Sequence, residues 1–118
     1  MIKWLPDAED HDYAAAKSYL SLLHGKDRVR KIVAELRGAG IAQFMAKDIF
    51  RASRLSLLGL SNFYIERDRI KIRKGAGLSP LLLVRDTQNG RLVIADGYHR
   101  LCAVYEFSED AVISCKIV

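Results

Sequence analysis

A chain of 118 residues, half of them hydrophobic and 28% charged, has the size and balance of one globular domain spanning 1–118. It is too apolar for a disordered tail, and its two prolines and eight glycines exclude a collagen-like or low-complexity sequence. The net charge of +5 leaves anionic partners open. The longest run of large aliphatics, Leu81 to Val84, is far short of the roughly 20 residues of a membrane span, and the opening turns acidic too early for a signal peptide. A soluble, cytoplasmic protein with no membrane partner is expected.

The first half reads as helical. Asp10 or Asp12 can cap a helix from about Tyr13 to Leu23, where Tyr13, Ala16, Leu20 and Leu23 form one stripe, and His24-Gly25 ends it. Asp27 can cap a second helix with Val29, Ile32, Val33 and Leu36 as its apolar face, closed by Gly38 and Gly40. A third runs from about Ala46 to Arg54. Ile65 to Lys74 carries both periods: Ile70 and Ile72 alternate with Arg69, Lys71 and Arg73, while Ile65 and Ile72 stand seven apart. The Lys74-Gly75 ending and the strand soon after favour helix. Beyond Gly77 the pattern changes. Leu81 to Val84 suits a strand buried on both faces, Asn89-Gly90 is a turn signal, and Leu92 to Ala95 is a second strand. Gly97 opens a helix through about Glu106, and Ala111 to Val118 alternates as a last strand. The expected fold is α+β, with a helical N-terminal half and a small mixed sheet in the C-terminal half.

Charge is concentrated between Lys47 and Lys74, where eight basic residues (Lys47, Arg51, Arg54, Arg67, Arg69, Lys71, Arg73, Lys74) face three acids (Asp48, Glu66, Asp68). Such a segment is either a phosphate-facing surface or a solvated helix face. Cys102 and Cys115 lack disulfide-scaffold or zinc-site spacing and read as small buried residues. The acidic opening (Asp7, Glu9, Asp10, His11, Asp12) reads as first-turn acids and caps rather than as a metal site.

The segment from Val93 to Ala103 carries the chemistry. A strand ends at Asp96, Gly97 turns sharply, and a helix begins with Tyr98, His99 and Arg100 in its first turn. Free N–H groups at a helix start, with the positive end of the dipole, favour an anion, and Arg100 adds a forked, permanent charge. Asp96 is either a helix cap or a general base or magnesium ligand, and Arg100 could pair with an acid such as Asp86. His99 and Arg100 fall off the stripe of Tyr98, Leu101, Cys102 and Tyr105, so removing the Arg100 side chain is expected to leave the fold intact.

From about Ile70 to Val118 the chain resembles the ParB N-terminal/sulfiredoxin superfamily: a helix ending Arg73-Lys74-Gly75, then Leu78-Ser79-Pro80 into a strand, a hairpin, the Asp96-Gly97-Tyr98-His99-Arg100 turn into a helix, and a last strand. The resemblance implies a nucleotide or other phosphorylated ligand held by Gly97, Tyr98, His99 and Arg100, with Lys47 and Arg51 contributing from upstream. Sulfiredoxins carry their reactive cysteine where this chain has Tyr98, and ParB proteins have a glutamate there, so neither activity carries over. Members described as nucleases or small-molecule kinases have Asp-Gly-His-His-Arg, which differs only at Tyr98. The implied function is binding of a nucleotide or phosphorylated small molecule, with phosphoryl chemistry that uses Asp96 or His99 as acid–base group and magnesium with a nucleoside triphosphate as cofactor. The alternatives are a nucleic-acid-binding protein or nuclease using the basic 47–74 segment, and a non-enzymatic accessory or mobile-element module with a protein partner.

Overall fold

Leu81, Leu82, Leu83 and Val84 are all buried, and alternate side chains enter different cores. That demands a layer of helices on each face, as the computed structural model shows; it describes residues 1–57 and 63–118. The elements in order are β1 (Lys3–Trp4), α1 (Asp10–Leu20), α2 (Lys26–Gly38), β2 (Ala42–Met45), α3 (Ala46–Ser53), α4 (Phe63–Lys74), β3 (Gly77–Leu78), β4 (Leu81–Asp86), β5 (Arg91–Asp96), α5 (Tyr98–Phe107) and β6 (Val112–Ile117). A four-stranded sheet has the order β2-β6-β4-β5, with β6 and β4 parallel and the outer pairs antiparallel. Short β1 pairs in parallel with β3.

On one face Leu82, Val84, Val93 and Ala95 pack against Tyr13, Ala16 and Leu20 of α1 and Val29, Ile32 and Leu36 of α2. On the other, Leu81, Leu83, Ile94, Ile113 and Cys115 meet residues of α3, α4 and α5, among them Ile49, Ile65, Ile72, Leu101 and Cys102. The period-2 alternation of the strands thus separates two cores. Both cysteines are buried thiols, and burial pushes Cys115 up to about 11.

The α+β class, the helix at Ile65 to Lys74 and the strands after Gly77 agree with the sequence. The division into halves does not. Ala42–Met45, from the N-terminal half, forms an edge strand on β6, and Gln43, Phe44 and Met45 are exposed. A strand with one partner and little burial has no reason to alternate, so its sequence carries no strand signal. The first helix starts earlier than expected, with Glu9 as N-cap, and Asp12 holds it from inside the first turn by accepting the Glu9 backbone N–H at 2.9 Å. It also ends earlier, at Leu20, which leaves Leu23 about half exposed. The second helix is capped at Gly25 rather than at Asp27. No helix among the described residues is long and apolar enough to cross a membrane.

Lys116 lies on the α1–α2 side of β6 and is only 3% exposed. Its ammonium donates to Asp7 Oδ1 at 3.0 Å, the Tyr13 hydroxyl at 2.9 Å and the Arg37 carbonyl at 2.9 Å. Three donors thus meet three acceptors, which is what allows a lysine to remain charged inside a fold. The contacts join β6 to the N-terminal segment, α1 and the end of α2. Lys116→Met keeps the stem but leaves the Arg37 carbonyl without its donor and Asp7 without its cation, while the Tyr13 hydroxyl still donates to Asp7 at 2.9 Å. It should cost about 2–3 kcal/mol in urea unfolding, and an unchanged midpoint would show that water replaces the ammonium.

Candidate functional site

Strand β5 delivers Asp96 to the end of the sheet, and Gly97 turns the chain into α5 with φ +105°. A side chain has no room there: a Cβ on Gly97 would lie 2.7 Å from Leu81 Cγ and 2.9 Å from an Arg100 guanidinium nitrogen. Glycine is therefore required both by conformation and by the guanidinium folded back over the turn. The N-cap residue of α5 is Gly97 itself, which offers no capping side chain, and the first turn contains Tyr98, His99 and Arg100.

Arg100 does not point into solvent. Its guanidinium lies 2.9 Å from Asp96 Oδ2 and 3.5 Å from Asp12 Oδ1, and its side chain is 15% exposed. Its Nε is buried and, among the described residues, has no hydrogen-bond partner. Asp86, the acid suggested by the sequence, instead holds Asn89 and Arg91 at the hairpin. The expectation that Arg100 is dispensable for the fold is thereby corrected, because its loss would strand two carboxylates that are largely withdrawn from water. The helical wheel places Arg100 off the apolar stripe of its own helix but cannot show that α1 covers that side.

The two carboxylates differ. Burial pushes Asp96 up to about 6, against the opposing pull of Arg100 and with further upward pressure from Asp12. Burial also raises Asp12, but the Glu9 backbone N–H, the Arg100 charge and hydrogen bonds to Ser79 and Asp96 outweigh it and hold Asp12 below the usual carboxylate value. Of the two, Asp96 is therefore the carboxyl that takes up a proton first as pH falls through about 6. A third buried carboxyl, Asp68 of α4, is raised by burial against the attraction of Arg100, Lys71, Arg67 and His99. His11 Nε2 lies 3.4 Å from Asp12 Oδ1 and Ser79 Oγ donates to Glu9 Oε1 at 3.0 Å. Ligand atoms of Glu9, His11 and Asp12 lie within 4.8 Å of one another. This acid-rich side of the site was read from the sequence only as caps; the signal available was Asp12 at the third helical position, where a carboxylate serves the cap and still offers its second oxygen.

Aromatic rings cluster around Tyr98 and His99. The His99 imidazole lies 5.1 Å from the Tyr64 ring and 5.9 Å from the Tyr98 ring, centroid to centroid. Tyr98 donates to the Ser56 carbonyl, and Phe50 meets both Tyr98 and Tyr105 edge to face. Asp96, Gly97, Tyr98, His99 and Arg100 are therefore gathered in one turn. Lys47 and Arg51 stand apart from it: Lys47 pairs with Asp110 at 2.6 Å and Arg51 with Asp48 at 3.6 Å, and both line a groove with Phe50, Leu55 and Tyr105. Within the basic segment, Arg69 and Arg73 both pair with Glu66, at 3.0 and 3.2 Å. Positions 58–62 of that segment lie outside the described residues.

No protein-family model matches the chain, and no curated protein or solved structure matches it.

Two outcomes follow from this geometry. Gly97→Ala should cost about 2 kcal/mol, because the alanine would be held at positive φ against Leu81 and Arg100; an unmoved urea midpoint would show that both side chains yield freely. Asp96 sets a pH dependence. An aspartate in the unfolded chain titrates near about 4, whereas Asp96 titrates at about 6. Between these values the folded protein keeps a proton that the unfolded chain has released. This group's contribution is therefore complete below about 4, declines as pH rises to about 6, and then levels off. Asp12, held low, opposes it only at lower pH, where its own contribution is lost on acidification. Asp96→Asn should flatten the decline when urea midpoints are compared from pH 4 to 7 (roughly the window between the two pKa values), and a slope retained in the variant would assign the proton elsewhere.

Proposed function

We propose that this chain is a ParB/sulfiredoxin-like domain that binds a nucleotide or similar phosphorylated ligand at the Asp96–Arg100 turn and performs phosphoryl chemistry there. The observation that carries the reading is the junction itself: a helix start whose N-cap is a positive-φ glycine, with the Arg100 guanidinium folded back against it and the Asp96 carboxyl 2.9 Å from that guanidinium. N–H groups of the first turn and Arg100 favour phosphate oxygens. Asp96, which titrates at about 6, can take or return a proton near neutral pH. His99, beside Tyr64 and Tyr98, would stack on or hydrogen-bond the ligand.

The carboxylates bear on the cofactor. Asp12 and Asp96 repel a bare phosphate, so the ligand is better read as a phosphate accompanied by a cation. Magnesium binds through one or two carboxylates plus substrate phosphates; Asp12 and Glu9 offer such oxygens, with His11 beside them. When bound, the ion would neutralise phosphate charge. The chain's own residues orient the phosphate and handle the proton.

The test is thermal unfolding with nucleoside mono-, di- and triphosphates, each with and without magnesium. A native-state ligand should raise Tm in a concentration-dependent way, and His99→Ala should weaken binding roughly tenfold, about 1.4 kcal/mol, with little change in unliganded Tm. Absence of any Tm shift with millimolar phosphorylated ligands would end this reading.

A further inference from the structure

The far end of β4 and β5 has a charge distribution that the Gly97 turn does not explain. β5 runs from Arg91 to Asp96, so at about 3.3 Å per residue the hairpin end lies roughly 17 Å from the site. A concavity of about 410 Å³ opens there, lined by His24, Arg28, Arg85 and Arg91 together with the turn residues Thr87, Gln88 and Asn89. One acid, Asp86, appears among its described lining residues, and it is already engaged by Arg91 at 3.3 Å and Asn89 at 2.9 Å. Arg28 and Arg85 are exposed and, among the described residues, have no carboxylate partner. Round the turn, on the α3 side, Arg54 lies with a guanidinium nitrogen 3.8 Å from where a Cβ on Gly90 would stand. Arg85 also lines the concavity on that side, with Phe44, Ile49, Leu92 and one acid, Asp48, which pairs with Arg51 at 3.6 Å. The cations thus run round the end of the sheet from α2 to α3.

We infer that this hairpin end binds the phosphodiester backbone of a nucleic acid. A single small anion would need convergent donors, whereas these guanidiniums are spread along a rim, which suits a polymer presenting phosphates at regular intervals. Arginine provides the planar fork that phosphate oxygens accept. The two carboxylates that line the described rim, Asp86 and Asp48, each have an arginine partner, Arg91 and Arg51. α4 has the more basic sequence, but two of its arginines, Arg69 and Arg73, are tied to Glu66 and Arg67 lies over the Tyr64 ring. That leaves Lys71 and Lys74, rather than forked guanidiniums, as its remaining cations. Nucleic-acid affinity is therefore assigned to the hairpin end, independently of the ligand at the Gly97 turn.

The experiment is fluorescence anisotropy of labelled duplex DNA and duplex RNA of about 20 base pairs, titrated with the full chain across a salt series from about 50 to 200 mM. The unmodified protein should bind at low salt, with log affinity falling linearly with log salt. Arg28→Gln/Arg85→Gln should weaken binding at least tenfold and reduce the slope by about two, one for each phosphate no longer neutralised. Arg69→Gln/Arg73→Gln should leave the slope unchanged, and circular dichroism checks that both variants fold. As a second measure on the unmodified protein, amide resonances of residues 24–28 and 85–91 should shift on adding the duplex. No binding of either duplex at the lowest salt, an unaltered slope in Arg28→Gln/Arg85→Gln, or shifts confined to α4 would overturn the assignment.

Discussion

One guanidinium holds the Asp96–Arg100 end of this molecule together. Arg100 belongs to α5, which packs on one face of the sheet, and Asp12 belongs to α1, which packs on the other; Asp96 ends the strand between them. The contact therefore passes round the end of the sheet and links two layers whose apolar cores are otherwise separate. Hydrophobic burial accounts for the layers individually but gives little direction to their relative placement at this edge. A charged, geometrically fixed contact supplies it. Its net stabilisation is modest, since both charges lose hydration, but breaking one side leaves the other without compensation.

The same link makes the site electrically composite. Two buried carboxyls, Asp12 and Asp68, and the largely buried Asp96 feel the charge of one arginine, and burial keeps Asp96 and Asp68 above their usual value while Asp12 stays below it. Protonation lowers the local negative charge without removing the oxygens. The junction is thus neither a simple positive nest nor a bare acidic cluster, but acceptors and donors held close together. This is the physical basis for reading the junction as chemical rather than as a turn that merely reverses the chain.

Much of the framework was legible because it depends on local periodicity. Tyr13, Ala16 and Leu20, the run from Leu81 to Val84, and Asn89-Gly90 each announce their element within a few residues. So did Gly97, whose place between strand and helix corresponds to a backbone that leaves no room for a side chain. What escaped depends on contacts between distant positions. β2 is an exposed edge whose partner lies some seventy residues away in sequence. The burial of Arg100 depends on α1, and Lys116, in a strand expected to alternate, is buried because Asp7, Tyr13 and Arg37 reach it from three other segments. Charged residues are the hardest to place from sequence, since the same lysine or arginine can be solvated, paired or buried according to which partner tertiary structure brings near.

The strand order β2-β6-β4-β5 has a consequence for how the chain reaches this structure. β6 lies between β2 and β4, so two of the three ladders of the main sheet require the segment around Val112–Ile117 to find partners at Ala42–Met45 and Leu81–Leu83. Until it does, β4 and β5 exist only as a hairpin, and a two-stranded hairpin is marginal in water. Closing such long loops costs entropy before any pairing offsets it, and proteins dominated by non-local pairing fold more slowly than helical bundles of similar size. The helices can form early and locally, but the sheet assembles late, around its own middle strand. Stopped-flow refolding would reveal this as a folding rate sensitive to substitutions at Ile113 and Cys115; insensitivity there, with sensitivity in α1 and α2, would indicate that the helical layer nucleates the fold.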